Sequence, residues 1–438
     1  MKPPKAFPEN SKFQNLKKFQ VSPIEYMKEA ASIYGSPVDL NLPIGKFALI
    51  SDPAQAQHIL ANNHENYTKS NGYKQVALVL GNGLLTAEGE EWHRNRKMLQ
   101  PSFHKKELRK LLPAVWKTGE QYLSGLIANQ DLRLDTEMNG LTLTILLNSL
   151  IHSSDEEILT KMSDQVNFGQ NFIVNRIRSP FKWPLWIPTK NHRRYHAMMK
   201  DSNVLIQRTI EERIEVGGKE IEDLLAVLLS NLDADKDFIQ IRDEILTFLV
   251  AGHETSSLGM TWTLHLLAHH PDIQNRLFDE VENLGHLEDM DLMNFSNLKY
   301  TSQVIKESMR MYPPIWNIVR KAKAEDHIGG FEIEAGYQLM NSIYELHHHP
   351  EYWDKPEEFN PDRFETYDFK HKFQYIPFGG GPRFCIGNNF AIFEMTILLV
   401  QFVRKFQLEP LSPKEIGFNP LLTLRPGQVV NIRLKSRL

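Results

Sequence analysis

The chain has one cysteine, Cys385, set in Phe378-Gly-Gly-Gly-Pro-Arg-Phe-Cys385-Ile-Gly387. Three consecutive glycines let a backbone turn sharply and come close to a flat object. The run that follows, Ile386-Gly-Asn-Asn-Phe-Ala-Ile-Phe-Glu-Met395, has helical character, so the thiol sits at or near a helix N-terminus. Unpaired N–H groups and the macrodipole favour the thiolate there, and Arg383 adds a positive charge two residues earlier. A lone cysteine is more often a small buried apolar residue. That role needs neither the glycines nor the arginine.

Three further patterns carry polar groups at helical spacing. In Thr301-Ser-Gln-Val-Ile-Lys-Glu307-Ser-Met-Arg310, Glu307 and Arg310 are three apart and share a face where they can pair. Taken alone, most such pairs are solvated and of small consequence. Between Glu244 and Met260 the middle of the pattern is apolar all round, which means a buried helix. Gly252 costs that helix about 1 kcal/mol relative to alanine, and Thr255 can bond back to the carbonyl of Ala251 and bend it. Read in isolation, these are a packing site and a satisfied hydroxyl. Finally, Trp92 and Arg96 in Glu91-Trp92-His-Arg-Asn-Arg96-Lys97 share a face. An indole N–H and a two-pronged guanidinium suit a carboxylate, although an amphipathic surface helix is the default for a lone match.

Together these patterns resemble the cytochrome P450 monooxygenases. Phe378, Gly381, Arg383, Cys385 and Gly387 match the family's F-x-x-G-x-R-x-C-x-G haem loop at every position. Ala251-Gly-His-Glu254-Thr255 is similar to its A-G-x-[DE]-T oxygen-groove motif, Glu307-x-x-Arg310 to its E-x-x-R, and Trp92-x-x-x-Arg96 to its W-x-x-x-R. The order is the family's, and the matches cover most of the chain beyond Glu90. The resemblance implies haem b with Cys385 as axial thiolate, which pushes electron density onto iron and favours O–O cleavage. It implies that Trp92, Arg96, Arg383 and, more loosely, Arg320 meet the haem propionates, with Phe378 and Gly387 also in the cofactor site. Gly252 would make room for dioxygen, Thr255 would hydrogen-bond it, and Glu254 would help relay protons. Glu307, Arg310 and Arg363 of Pro361-Asp-Arg363-Phe364 would form a buried scaffold triad. The activity implied is insertion of one oxygen atom of O2 into an apolar substrate such as a lipid, fatty acid, carotenoid or terpenoid. By analogy the substrate would be lined by Tyr73 to Leu85, Val166 to Ile173, Phe248, Ala251, Ile315 to Ile318 and Leu421 to Leu422, which are largely apolar and aromatic. Rivals are a peroxide-using or non-oxidative haem-thiolate enzyme and, further off, a haem gas sensor.

The elements that must hold these residues are mostly helical. A helix opens at Ser22-Pro23 and runs to about Tyr34, a hairpin follows over Val38 to Leu42 and Phe47 to Ile50, and Ser51-Asp52-Pro53 starts another helix. Helical patterning prevails from about Glu90 to Leu284, broken by a tryptophan-bearing loop from Ser179-Pro180 to Pro188, and resumes over Ser296 to Pro313. Strands are expected at Phe331 to Ile333 and Tyr337 to Asn341 around Ala335-Gly336, and at Leu421 to Leu424 and Val429 to Leu434 around Pro426-Gly427. Residues 345–384 show no period, and so long a loop needs something specific to order it. The expected fold is mainly α with small β-sheets, the cytochrome P450 fold: one helical domain over 1–438 around a buried haem. It divides into a β-rich part near 36–60, a helical core near 90–313 and a haem-side meander and loop near 345–387.

Composition fits. The 438 residues include 50 basic and 54 acidic side chains, a net charge of −4, with 41% apolar and 24% charged residues. That is an ordinary globular balance, with no reason to expect nucleic acid. A chain this long buries about three quarters of its unfolded surface without staples. A single cysteine removes Cys-cluster zinc and iron–sulfur readings and suits a reducing, cytoplasmic setting. The lysine- and proline-bearing first 19 residues offer no signal peptide. The stretch Met138 to Ser154 is too interrupted for the ~20 apolar residues of a membrane span. No reductase segment is recognised, so electrons are expected from a ferredoxin or flavodoxin with its NAD(P)H reductase, steered by Arg94, Arg96, Lys97, Lys105, Lys106, Arg109 and Lys110. His265 and His269 lack the glutamate of H-E-x-x-H, His347-His348-His349 reads as a solvated turn, and no G-x-G-x-x-G follows a strand.

Overall fold

The computed structural model describes residues 4–6, 11–151, 156–179, 181–215, 223–283, 292–366 and 368–437. Pro180, Leu284 and residues 152–154 of the segments named above lie outside them.

The molecule is built around the helix Phe238–Ala268, whose 31 residues reach about 46 Å at 1.5 Å per residue. Its middle is apolar on every side, so it can only be stable surrounded by other elements. The helices Leu134–Leu146, Lys299–Met311 and Asn388–Lys405 surround it. Small residues set the approach. A Cβ on Gly252 would come 2.5 Å from Leu146, and one on Gly259 2.8 Å from Met395. Some polar groups on this helix are paired inward: Thr263 Oγ1 donates to the Gly259 carbonyl (2.6 Å) and lies 2.8 Å from Ser308 Oγ, and the Trp262 indole donates to the Leu424 carbonyl (3.0 Å).

The larger sheet has six strands in the order Lys5–Ala6, Val38–Asp39, Phe47–Ile50, Gln338–Ser342, Asn317–Ala322, Tyr67–Lys69. Val38 and Asp39 pair antiparallel with Leu49 and Ala48, the expected hairpin. The helix Pro23–Tyr34 and the Asp52 cap ahead of Pro53 also stand where the sequence places them. Strands stand at Phe331–Ile333 and Gln338–Ser342 close to where the sequence places them; the first pairs with Asp326–Ile328 and the second joins the large sheet. Two expectations are corrected. Near the C-terminus Phe418–Pro420 pairs with Leu424–Pro426, and Asn431–Ser436 with Phe406–Pro410 and Asp131–Arg133. His347 and His348 are buried on the helix Ile343–His348 instead of in a solvated turn. His347 Nε2 accepts from the Ile376 N–H at 2.9 Å, while its Nδ1 is buried without a partner. The helices Lys12–Val21, Tyr73–Leu80 and Ile343–His348 add to those expected; Ser11 and Gln14 form a capping box at the start of the first, a pattern the sequence does contain.

The aperiodic stretch 345–384 is ordered by charge. Glu307 Oε2 accepts from Arg310 Nε at 2.7 Å; Oε1 accepts from Arg310 Nη2 (2.9 Å), Arg363 Nε (3.2 Å) and the Asn360 N–H (3.0 Å). Arg310 also donates to the His347 carbonyl at 3.0 Å, and Arg363 to the carbonyls of Asp354 and, at 2.8 Å, Lys355. Glu307 and Arg310 are both 0% exposed. Three side chains thus replace the regular hydrogen bonding that the meander lacks.

Glu307→Gln removes the counter-charge of the buried Arg310 and the part-buried Arg363 and should cost about 3–5 kcal/mol. Thermal unfolding of the haem-loaded protein measures it; a parent-like melting temperature with full haem content would take the triad out of the scaffold.

Candidate active site

Cys385 sits where loop gives way to helix. Its N–H donates to the Phe378 carbonyl (3.0 Å), closing the loop, and Gly387 caps the helix Asn388–Lys405. Gly381 has φ +70°, and a Cβ there would meet the Leu60 carbonyl oxygen at 1.9 Å, so only glycine lets the loop lie on the 58–62 backbone. Phe378 packs edge-on to Phe384, with ring centroids 6.3 Å apart. Cys385 is accessible at its surface, yet the protein encloses it closely enough that burial pushes its thiol above the ordinary range, opposed by the Gly387 N–H and Arg96. Access together with enclosure describes a residue facing an internal cleft. Arg96 donates to the Phe384 carbonyl (2.9 Å) and to Gln100 (3.1 Å). It therefore grips the cysteine loop itself.

A second group of cations lies beside the loop. Lys69 and Arg320 are cross-strand partners in the large sheet. Arg383 stacks over the Trp92 ring, 4.8 Å from its centroid, and donates to Glu88 at 2.5 Å through Nη2. Burial and, after it, the positive charge of Arg383 lower Lys69 to about 7. The Lys69 ammonium donates to the carbonyls of Leu84 (3.3 Å) and Ala87. Arg383 Nη1 is buried without a hydrogen-bond partner. An excess of cations with one orphaned guanidinium nitrogen fits a group that brings two carboxylates. Haem is such a group, and its iron takes a thiolate.

On the long helix, Thr255 Oγ1 donates to the Ala251 carbonyl at 2.8 Å and lies 3.3 Å from that of Gly252, the expected back-bond. What a side chain at Gly252 would meet is Leu146, so helix packing already accounts for this glycine. Glu254 is 2% exposed. Its Oε1 accepts from Thr423 Oγ1 (3.0 Å) and from Arg425 through Nε (2.9 Å) and Nη2 (2.6 Å), while Oε2 has no partner. Thr423 and Arg425 escaped the sequence reading, as did Lys69 and Glu88. None belongs to a spaced motif, and tertiary folding alone brings them here.

Two pairs of the expected lining segments touch. Gly169 of Glu156–Arg178 faces Val79 of Tyr73–Leu80; Phe248 instead stacks on Phe103, outside those segments, with centroids 5.2 Å apart. The Trp316 indole donates to the Leu421 carbonyl at 3.1 Å, joining segment 315–318 to 421–422.

Comparison with known proteins agrees with this geometry. The family model for cytochrome P450 matches residues 1–431. Protein LUTEIN DEFICIENT 5, chloroplastic, of Arabidopsis thaliana is 30% identical over 413 residues, 87% of this chain and 69% of that protein. Carotene epsilon-monooxygenase, chloroplastic, of the same plant is 27% identical over 421 residues, 89% and 78% of the two chains. The crystal structure of the cytochrome P450DA haem domain superposes with a TM-score of 0.87 at 24% identity, covering 100% of this chain and 98% of that one. A chain with a single cysteine can meet this family's need for an axial thiolate in one way only, and it belongs to the cytochrome P450 family as a monooxygenase that carries haem b on Cys385.

Proposed function

We propose that this monooxygenase hydroxylates a hydrophobic lipid-class substrate (a fatty acid, carotenoid or other terpenoid) as one domain over residues 1–438. Electrons would come from a separate ferredoxin or flavodoxin with its NAD(P)H reductase, in a cytoplasmic setting that a lone cysteine suits. The observation that carries the O2-using reading over a peroxide-using enzyme or a gas sensor is the Glu254–Thr255 pair. Splitting O2 with two electrons consumes two protons. Here a buried carboxylate with one unpartnered oxygen stands beside a hydroxyl on the same helix. A sensor or a peroxide user has no need of such a pair.

Bound haem supplies the oxygen activation and insertion chemistry, and the protein's residues set its conditions. Cys385 is held by the Phe378 carbonyl and the Gly387 N–H so that its sulfur keeps one position. Thr255 Oγ1 spends its proton on the Ala251 carbonyl and can accept a hydrogen bond at the same oxygen. Glu254 is anchored through Oε1 by Arg425 and Thr423, leaving Oε2 to take and give a proton. The aliphatic and aromatic lining of segments 73–85, 166–173, 315–318 and 421–422 excludes water and favours an apolar guest. Similarity to a carotene epsilon-monooxygenase favours the terpenoid end of the class. Arg94, Lys97, Lys105, Lys106, Arg109 and Lys110 are exposed on consecutive turns next to the helix that carries Arg96. They offer an acidic electron carrier a docking field.

Purified protein should bind haem, give the long-wavelength carbon monoxide band of a sulfur-ligated ferrous haem, and show spin-state shifts with a panel of fatty acids and terpenoids. Product should require O2, reductant and a surrogate electron carrier together; turnover with peroxide alone would favour the peroxide-using reading. Cys385→Ser should lose the sulfur-ligated band and turnover, and survival of both would overturn the ligand assignment.

Thr255→Ala should divert reducing equivalents from product to released hydrogen peroxide, with substrate affinity within about twofold of the parent, because the hydroxyl acts on protons more than on binding. The ratio of product to NAD(P)H consumed measures it. Tight coupling in the variant would remove Thr255 from the proton path.

A further inference from the structure

Glu88 has a carboxylate whose use is unusual for its position. It is the N-cap residue of Gly89–Leu99, the helix that bears Trp92 and Arg96, yet its side chain makes no capping hydrogen bond to that helix. Ser, Thr, Asp and Asn at this position accept from the first turn of their own helix, and the longer Glu88 side chain does not. Instead Oε1 accepts from the main-chain N–H of Lys69 at 2.7 Å, and Oε2 from Arg383 Nη2 at 2.5 Å. The carboxylate is thereby fixed at one end by the sheet and at the other holds one prong of a guanidinium. The second prong, Nη1, is buried and unpartnered.

We propose that Glu88 is a positioning residue for the cofactor: it clamps Arg383 by Nη2 so that Nη1 is presented to a haem carboxylate. The inference rests on the haem reading and adds to it a residue that no motif contains. A guanidinium has two prongs, and a free arginine could turn either toward an anion. Division of the fork between a protein carboxylate and a cofactor carboxylate removes that freedom before haem arrives, and stacking on Trp92 fixes the plane. Charge supports the same division. Lys69 faces Arg320 across the strand pair, and the positive charges of both Arg320 and Arg383 reach Lys69. Glu88 answers one of these three charges, and the two carboxylates of a haem would answer the others. Glu244 also acts on Lys69, but its carboxylate is occupied by the Leu84 N–H (3.0 Å) and Asn95 (2.7 Å), and burial raises it to about 7.

The test uses the haem-loaded enzyme with Glu88→Gln, Glu88→Asp and, as a surface control, Glu91→Gln. Two readouts are taken: the rate of haem transfer to excess apomyoglobin, and the propionate bending bands in the resonance Raman spectrum. Glu88→Gln should lose haem at least about fivefold faster, the scale of one charge-assisted hydrogen bond, and should shift a propionate band. Glu88→Asp, which keeps the charge, should lie between Gln and the parent, and Glu91→Gln should match the parent. Equal haem loss in the Gln and Asp variants, or an unmoved propionate band in Glu88→Gln, would overturn the proposal. A parent that takes up no haem would instead overturn the cofactor reading on which it rests.

Discussion

Everything in this fold answers the problem of keeping one sulfur charged where water is scarce. Burial pushes the Cys385 thiol up, against the form that binds iron. The opposing effects are local and geometric: the Gly387 N–H aimed at the sulfur, the positive charge of Arg96, and the N-terminus of a helix of 18 residues. None acts unless the loop has a single shape. The Gly381 backbone against Leu60 and the Cys385 N–H on the Phe378 carbonyl enforce it. Arg96 contributes twice, because the same guanidinium that supplies charge also holds the Phe384 carbonyl.

Such a loop needs a rigid bed, and the bed is itself irregular. Residues 345–384 have little regular hydrogen bonding, so the Glu307–Arg310–Arg363 ion cluster supplies many of the partners that their carbonyls would otherwise find in a helix or sheet. A cluster whose Glu307 and Arg310 are fully buried is costly to assemble, because each ion must leave water. What it provides is specificity: Glu307 accepts four hydrogen bonds from fixed directions, and no shifted meander can meet all of them. Apolar packing alone tolerates small slides; a satisfied carboxylate does not.

The sequence shows the parts of the site that depend on local spacing. Cys385 with its glycines, Thr255 one turn beyond Ala251, and Glu307 three before Arg310 are all relations within one helix or one loop, and they appear as read. Pro23–Tyr34 is equally legible, since a proline start and an apolar period are both local. Strand partners are not local. Phe331–Ile333 and Gln338–Ser342 are adjacent in sequence yet pair with different neighbours, because Gln338–Ser342 is drawn into register with Phe47–Ile50 nearly 300 residues away. The same holds for Glu88, Lys69 and Arg425. Each is one charged residue among many, and its partner is chosen by the fold.

That division has a physical origin in how the two sides of the site are built. The sulfur side is one continuous loop and helix, so its chemistry is written in consecutive residues. The cationic side gathers a strand pair at Lys69 and Arg320, a helix start at Glu88 and the tip of the loop at Arg383. Glu254 on the long helix likewise meets Thr423 and Arg425 from the far end of the chain. Cations gathered from separate elements repel one another, and only a fold held firmly elsewhere can keep them close. The buried helix Phe238–Ala268 and the ion cluster under the meander therefore do more than fill space. They bear the electrostatic cost of a site that attracts an anionic, flat cofactor from both edges.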